Sequence, residues 1–570
     1  MDFPRSVQPA IAAFRRQGGI GPDPVAAAWN GRRAAWSLFA RSLSDAEIEA
    51  LRPYIFAYDR LPETPADEPV PSYNFVAGEW RAAAESVDMA ALFDRRVRLS
   101  RLARSRAADV DGALSAGWAA WQSLAWADDT LQYRKWVVKN VARILHYFEE
   151  DCLREIRQQI PKTRLEAQKD FWEAKRAAEH LEGAADKAML GELLPPMIEG
   201  HTYWKNAFLP AGLCVLLTPM NFIYGIPVIQ MLGCYLSGSP FIFKGHPFAA
   251  ITNTTLIRML LAAGADPRAV QKIEGFGKDI AALPTDARVA VASVTGSEET
   301  AKLIQRGRGV RPLRFEGGGC NWVWVDDGFS DAELRRIAER LTYSKLALSS
   351  HKCTGLHGVA ASAQTLRALE TLFDAEFGRW TIEDPRRTES PTVIGPCMVH
   401  RAGNADQILA QARQAGCRIV RAGGQLADSE YARHAEVLSP AIISGVTPEL
   451  EISIDWDGKG ARTFRLASTE LFLPVLITMA MDFEAFVRFC LWQNPHDLAT
   501  VLYTRDDRKL QRARRVIGGM LKENDGTDSA LEWEAFGASG VGDSGNSSVG
   551  DAASTIRMFC REQKGRHVVL

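Results

Sequence analysis

In the stretch SSHKCTGLHG, residues 349–358, Cys353 stands two positions after His351 and four before His357, with Lys352 at its side. A sulfur in that company has three roles open to it. It can share a metal ion with the histidines, but a zinc site needs three or four ligands with support behind them. No matching second cluster stands nearby in the chain, so no metal is expected. It can be a buried, inert thiol, the common fate of free cysteine. It can also be a nucleophile, because the loop is polar and His351 and Lys352 favour the thiolate. The residue types by themselves leave these roles open.

The elements that must position this cysteine can be read around it. The preceding helix opens on the capping box SDAE, 330–333, and runs to near Ser349. Upstream, 38 residues between Lys205 and Lys244 carry neither a charge nor a histidine. That length would pass for a membrane span, but Pro210, Pro219, Pro227 and Pro240, with Gly212, Gly225, Gly233 and Gly238, cut it into pieces of strand or single-helix length. It reads as strand LCVLLTP, loop MNF, helix IPVIQMLGCYLSG and strand PFIFKG. This is a βαβ unit with both strands apolar throughout, as a parallel sheet covered on both faces requires. A second unit follows: helix TNTTLIRMLLAAG stopped by Gly264, strand VQKIEGFG, and strand VAVASVTGS feeding helix EETAKLIQRG.

Such a succession predicts a Rossmann-like sheet whose ligands lie beyond the carboxyl ends of its strands. Those ends carry Asn221, Lys244, Gly275, Gly277, Gly296 and Ser297. Asn221 can equally be a helix cap and Lys244 a solvated strand-end lysine. Glu316 precedes three glycines between apolar runs, a poor setting for a surface acid.

The rest of the chain bounds the possibilities. Its 570 residues exceed one core and predict two or three domains. Hydrophobic residues make up 46%, charged residues 24%, and the net charge is -1; nothing draws it to nucleic acid or to an anionic membrane. Nine cysteines without paired short spacings predict no disulfide framework, and the N-terminus has no apolar run of signal-peptide length. The expectation is a cytoplasmic protein acting on a small molecule. Residues 1–60 read as helical, with a capping box at Ser44 and Glu47. LPETPADEPVPS, 61–72, reads as an extended linker outside the core. The arginines of 95–106 alternate with apolar residues and read as a solvated, ion-paired face. From 109 to 190 the pattern is amphipathic helix, with Trp118, Trp121, Trp136, Val137 and Phe148 on the buried stripe.

Seven stretches then fall in a telling order: TPMNF (218–222), FIFKG (241–245), GFG (275–277), VTGS (294–297), FEGGGCN (315–321), HKC (351–353) and TELFLPV (469–475). In order and approximate spacing they resemble the aldehyde dehydrogenase superfamily, over about residues 75–560. The closing AFGASGVGDSGNSS, 535–548, together with HKC and EGGGCN, is most similar to the pyrroline-5-carboxylate (glutamate semialdehyde) dehydrogenase branch.

The resemblance implies an α/β, aldehyde dehydrogenase-like fold. Its expected parts are a helical N-terminal extension and linker, 1–72; a cofactor-binding domain, 73–316, with an oligomerisation hairpin at 190–208; a catalytic domain, 317–530; and a C-terminal oligomerisation tail, 531–570. A homodimer or higher homo-oligomer is expected. The resemblance also implies roles. Cys353 attacks the aldehyde, and a thiolate does this at neutral pH better than a hydroxyl. The Asn221 amide and the Cys353 backbone N–H hold the oxyanion. Hydride passes to NAD or NADP, and Glu316 activates the water that hydrolyses the thioester. Lys244 holds the adenosine ribose, Gly296 and Ser297 lie by the pyrophosphate, and Glu470 and Phe472 clamp the nicotinamide end. Pro219, Met220, Gly275 and Gly277 complete the cofactor wall. Thr354 and the glycine-rich loop beginning at Gly537 are expected to face a substrate bearing a carboxylate.

The chain departs from the family pattern at Met220 (usually tryptophan), Leu473 (glycine) and Cys320 (lysine), and SSHKC stands where glycine and glutamine are usual. Pro247, after His246, replaces the acid that often pairs with the adenosine ribose, so NADP is tolerated. The interval from Cys353 to Glu470 is longer than usual by about one supersecondary unit, placed before 460. The rival readings are a coenzyme A-acylating relative, which needs no water-activating base, and a catalytically silent homologue serving as an interaction protein.

Overall fold

The computed structural model describes residues 3–30, 41–56, 58–123, 130–190, 192–194, 201–397, 402–426, 431–529, 537–540, 542–547 and 551–568. Parts of the expected oligomerisation hairpin (191, 195–200) and of the expected C-terminal tail (531–536, 541, 548–550, 569–570) lie outside these.

Two sheets organise the chain. The first has eight strands, and five of them, ordered Val270–Lys272, Phe241–Lys244, Cys214–Leu217, Val291–Thr295 and Leu313–Glu316, run parallel. Their charge-free sequence explains this: Cys214, Val215, Leu216, Phe241, Ile242 and Phe243 are all fully buried, as strands covered on both faces must be. The crossover helix Gly225–Ser237 is buried along its whole length and ends at Gly238, whose φ of 85° is the left-handed conformation that closes a helix. The next, Ala250–Ala262, is also buried throughout. Each fully buried leucine or isoleucine here is worth about 1.5–3 kcal/mol relative to exposure. On the outer side the sheet continues antiparallel through Asn74–Val76, Glu79–Arg81 and Gly21–Pro22.

The second sheet has seven strands, ordered Arg418–Arg421, Ala441–Ser444, Val475–Ala480, Leu356–Ala361, Asn321–Val325, Ala499–Tyr503 and Met520–Glu523. All its pairings are parallel except the first. The chain crosses between the sheets at the glycines after Glu316. A third sheet pairs Cys560–Val568 with His201–Pro210 and Glu192–Leu194, all antiparallel.

The N-terminal helices are part of the first core rather than an extension from it. Val7, Ile11, Phe14, Leu43, Ile48, Leu51 and Tyr54 share one apolar cluster with the two crossover helices, because amphipathic helices this short need a partner for their apolar face. Arg258 ties them in: its guanidinium donates to the Tyr54 carbonyl at 3.0 Å and lies over the rings of Phe14, Tyr54 and Trp80. Nor is 61–72 a free linker. Leu61 and Val70 are buried, and Val70–Ser72 is a strand parallel to Arg98–Arg104; proline is tolerated there because the strand is at an edge.

The arginine-rich strand is the ion-paired face its spacing predicted. Leu99 and Leu102 point inward while Arg101 pairs with Asp88 at 2.7 Å, and Arg104 and Arg106 pair with Asp279 at 2.9 and 2.6 Å. The helical stripe is narrower than its tryptophans suggested: Val137 and Phe148 are fully buried, but Trp118, Trp121 and Trp136 are only half-buried.

Candidate active site

A cleft of about 1800 Å³ runs along the carboxyl ends of the parallel strands of the first sheet and meets the loop that holds Cys353. It is lined by Asn221, Glu316 and Cys353, contributed by three separate stretches of chain.

The loop around Cys353 is held in an unusual conformation. The helix Asp331–Leu346 opens on the expected capping box of Ser330 and Glu333, but stops short of Ser349. Leu348, Ser349 and Ser350 instead take positive φ values of 55, 52 and 65°. A left-handed residue with a Cβ costs about 1–2 kcal/mol, so three in succession need external support. The Leu348 N–H donates to Glu166 Oε1 at 2.6 Å, the Gly395 N–H to Ser349 Oγ at 2.9 Å, and Ser350 Oγ to the Lys345 carbonyl at 2.5 Å. Asn321 fixes the far side, its Nδ2 donating to the carbonyls of Cys353 at 2.7 Å and Gly355 at 2.8 Å. Gly319 leaves room for this: a Cβ there would stand 2.8 Å from the Cys353 carbonyl.

The two histidines face inward. His351 is fully buried, with Nδ1 3.1 Å from the Leu348 carbonyl, Nε2 3.5 Å from Cys397 Sγ and its ring edge-on to Phe472. His357 Nε2 lies 3.1 Å from the Leu466 carbonyl. Both imidazoles are thus engaged by the protein interior.

Asn221 does not cap the helix that follows it. That role belongs to Asp170, which accepts the N–H groups of Ile223, Tyr224 and Gly225 at 3.1, 3.2 and 2.8 Å and is itself paired with buried Lys162 at 2.9 Å. The Asn221 amide turns to the nucleophile loop, donating to the His351 carbonyl at 3.0 Å.

Glu316 ends the strand Leu313–Glu316 and is 2% exposed, so it is no surface acid. Ser547 Oγ donates to its Oε2, and its Oε1 has no hydrogen-bond partner among the described residues. Burial raises its carboxyl well above the usual range; Ser547 opposes the rise and Asp497 adds to it. The glycine-rich segment supports this carboxyl. Gly545 bridges to the Glu316 backbone and the Gly317 N–H donates to the Ser544 carbonyl at 2.7 Å.

Gly537 therefore corrects an expectation: it is not on the cleft wall but packs behind Glu316, where a Cβ would lie 3.6 Å from Oε2. The backbone N–H groups of Asn546 and Ser547 are directed at the Phe315 carbonyl, at 2.9 and 3.2 Å, instead of at a substrate. Thr354 is on the wall, fully buried, its Oγ1 unpartnered among the described residues.

The cofactor end holds Lys244, Pro219, Met220, Gly277, Gly296 and Ser297 on the wall, together with Glu470 and Phe472 nearer Cys353. Gly275 is the second correction. Its Cβ position faces Ile280 and the Ser105 backbone, so it serves packing under the cleft rather than the cleft itself. Lys244 makes no ion pair among the described residues, and burial pushes its ammonium down to about 8 against the pull of Glu274. Glu274 is already paired with Lys272 at 2.7 Å. Gly277 and Gly296 have open space where a Cβ would project, and Ser297 caps the helix Glu298–Arg308. An open glycine floor, a helix N-terminus and an unpaired buried lysine fit a dinucleotide with its pyrophosphate at the helix.

Lys345 escaped the sequence reading, because a lysine in the last turn of an amphipathic helix ordinarily reaches solvent. It is 4% exposed, and burial pushes it down to about 7 while Cys320 and Glu470 pull it back up. The signal was Cys320 itself, standing where the family has a lysine: Lys345 brings a cation to that neighbourhood from another element.

Burial, then Glu470 and Glu316, push the Cys353 thiol up to about 12, with Lys352 opposing. The ligand-free protein therefore carries a protonated thiol at neutral pH, and the thiolate fraction grows tenfold per pH unit below that value. The rate of Cys353 alkylation by iodoacetamide, followed by peptide mass spectrometry, is expected to climb about tenfold per unit from pH 7 to 10 without levelling. A plateau near pH 8 would contradict the protonated resting state.

Comparison with known proteins finds relatives of this chain. A sequence model described as the aldehyde dehydrogenase family matches residues 82–563. The 3,6-anhydro-alpha-L-galactose dehydrogenase of Streptomyces coelicolor is 25% identical over 55% of this chain and 59% of its own length. The 2,5-dioxopentanoate dehydrogenase of Saccharolobus solfataricus is 23% identical over 55% and 62%. The chain thus spans about three fifths of these two relatives. The alpha-ketoglutaric semialdehyde dehydrogenase of Bacillus subtilis is 24% identical over 72% of this chain and 80% of its own. Among solved structures, betaine aldehyde dehydrogenase from Staphylococcus aureus in complex with NAD+ superimposes with a TM-score of 0.79 at 17% identity, covering 87% of this chain and 95% of that one. Methylmalonate-semialdehyde dehydrogenase from Oceanimonas doudoroffii gives 0.77 at 18%, covering 87% and 98%. These structures establish the shared fold.

Proposed function

Because the chain belongs to the aldehyde dehydrogenase family, we propose that it oxidises an aldehyde to the carboxylic acid with NAD or NADP as acceptor. One observation carries this reading: a thiol, an amide and a buried carboxyl with no cation partner among the described residues line one cleft from three stretches of chain.

Cys353 Sγ gives up its proton to solvent and, as the thiolate, attacks the aldehyde carbon, and the C=O π pair moves onto oxygen. The Asn221 amide, 3.0 Å from the loop at His351, and the Cys353 N–H are the donors for that oxygen. A preset donor of this kind is worth about 10²–10³ in rate. The nicotinamide, when bound, supplies the hydride acceptor. Lys244 would hold its adenosine ribose, Gly296 and Ser297 the pyrophosphate, and Glu470 and Phe472 the nicotinamide ribose and ring. The resulting Cys353 thioester needs water. Glu316, a stronger base in its dry pocket than a solvated carboxylate, takes the water proton as the hydroxyl adds to the thioester carbon, and the thiolate leaves.

The substrate we favour carries a second carboxylate. The closing glycine-rich motif resembles the pyrroline-5-carboxylate branch, and the names of several relatives specify oxo acids or semialdehydes of acids. We further read the protein as a cytoplasmic homodimer or higher homo-oligomer, joined through the sheet of Cys560–Val568 and His201–Pro210. Among the described residues no helix is long and apolar enough to cross a membrane.

A panel of aldehydes with NAD and with NADP tests the central claim. Reduced nicotinamide is expected to form in step with acid for at least one aldehyde; no turnover with any, under either cofactor, would sink it.

A further inference from the structure

The cleft wall carries two lysines that oxidation chemistry does not use, on elements apart from those of the dinucleotide floor. The helix Arg164–Met189 contributes Lys169, Glu173 and Arg176 to the wall, the helix Asp331–Leu346 contributes Arg340 and Tyr343, and the nucleophile loop contributes Lys352. Asp528 adds a second acid to Glu173.

Arg340 and Asp528 cancel one another: they are paired at 2.7 Å, with Arg340 also 3.1 Å from Asp525. Lys352 Nζ donates to the backbone carbonyl of Asp528 at 2.7 Å, not to its carboxylate. Lys169 Nζ donates at 2.9 Å to the Tyr343 hydroxyl, a neutral oxygen, and lies 4.6 Å over that ring. Neither lysine makes an ion pair among the described residues. Burial favours the neutral Asp528, yet Lys352, Arg340 and Lys169 outweigh it and hold that carboxyl at about 2. Trp172 and Phe222 add apolar surface to the same wall, and Lys352 Nζ lies 5.7 Å over the Phe222 ring. The same wall thus holds a nucleophile, apolar surface and a pair of lysines, the cationic rim.

We propose that Lys169 and Lys352 receive the carboxylate at the far end of the aldehyde, with the Tyr343 hydroxyl as a further donor. This selects an ω-oxo acid over an uncharged aldehyde of equal length. The assignment falls on residues without a role in the oxidation itself, and it replaces Gly537, which is not on the cleft wall. It rests on the reading of Cys353 as an aldehyde-oxidising nucleophile. Its test is arranged so that either can fail alone.

Steady-state kinetics on 4-oxobutanoate and on butanal would compare the full-length wild type with Lys169→Met and Lys169→Glu. Methionine keeps the length and helix preference of lysine, and the site is half-exposed, so folding is preserved. Lys169→Met is expected to lose about ten- to a hundredfold in kcat/KM for 4-oxobutanoate, the worth of one charged hydrogen bond, with butanal held within about twofold. Lys169→Glu should lose more on the acid. Equal loss on both aldehydes, or a wild type that does not prefer the acid, overturns the proposal, as does faster turnover of glyceraldehyde 3-phosphate than of any oxo acid. Calorimetric titration with glutarate is independent of turnover. Binding weakened about tenfold or more in Lys169→Met supports the rim even in a protein that oxidises nothing, and unchanged binding overturns it.

Discussion

Cys353→Ala is expected to lower aldehyde-dependent nicotinamide reduction by on the order of 10⁴-fold or more, as deletion of a covalent nucleophile does, while leaving the thermal midpoint and the affinity for the dinucleotide near those of the wild type. The separation of chemistry from structure follows from how the loop is held. Its supports reach the Leu348 N–H, the hydroxyls of Ser349 and Ser350 and the Cys353 carbonyl, and none reaches the sulfur. The alanine variant therefore keeps the left-handed turn and the Asn221 contact, and only the S–C bond is lost. Serine is expected to do little better. An alkoxide is far less accessible than a thiolate, and the carboxylates of Glu470 and Glu316 that already push the thiol up to about 12 would oppose it further. Aldehyde turnover by stopped assay, with dinucleotide affinity by fluorescence quenching, measures both halves. More than about 1% residual activity in the alanine variant would point to another nucleophile. Cys320, 1% exposed and also neighbouring Glu470, would be the first suspect.

The parts of this site that could be read from the sequence are those whose chemistry is carried by composition. A run without charges has to be interior, and its prolines and glycines divide it into strands and a helix at nearly the observed bounds. Glycines beside acids and a cysteine in a polar loop are unusual enough to stand out.

What was hidden depends on tertiary partners. Nothing in Leu348, Ser349 and Ser350 announces a left-handed turn, since these residue types avoid it; Glu166 and Gly395, distant in sequence, impose it. Asp170 looks like any helical aspartate until the helix it caps is seen to begin 55 residues later, at Gly225. Lys169 and Lys345 sit on amphipathic helices where lysine is ordinary. The N-terminal helices were read as an extension because their apolar stripes do not name a partner. Gly275 and Gly537 were placed on the cleft because a glycine in a motif reads the same whether it faces a ligand or a neighbouring backbone.

Glu316→Gln separates the two halves of the reaction. The sulfur and its oxyanion donors stay in place, and the thiol loses one of the carboxylates that push it up, so the first turnover is expected to proceed and release one reduced nicotinamide per active site. Steady turnover should then fall by about 10²–10⁴-fold, the usual contribution of a positioned base. The acyl group should remain on Cys353, visible as a mass increase of the intact protein. Glutamine suits the pocket sterically, and its carbonyl can still accept from Ser547 Oγ, which bonds the carboxylate in the wild type.

The same variant distinguishes hydrolysis from coenzyme A acylation: if coenzyme A is the natural acceptor, adding it to Glu316→Gln restores full turnover, whereas a hydrolytic enzyme stays blocked. Ser547→Ala adds the pH dependence. Among the described residues, Ser547 is the hydrogen-bond donor that lowers the Glu316 carboxyl against its burial. Removing it raises that carboxyl further, so the basic form appears only at higher pH. The alkaline-rising limb of deacylation is therefore expected to move to higher pH in Ser547→Ala, with the amplitude of the first-turnover burst unchanged. A shift to lower pH, or loss of the burst, would mean that Ser547 and the segment around Gly545 act on the thiol instead of on the carboxyl.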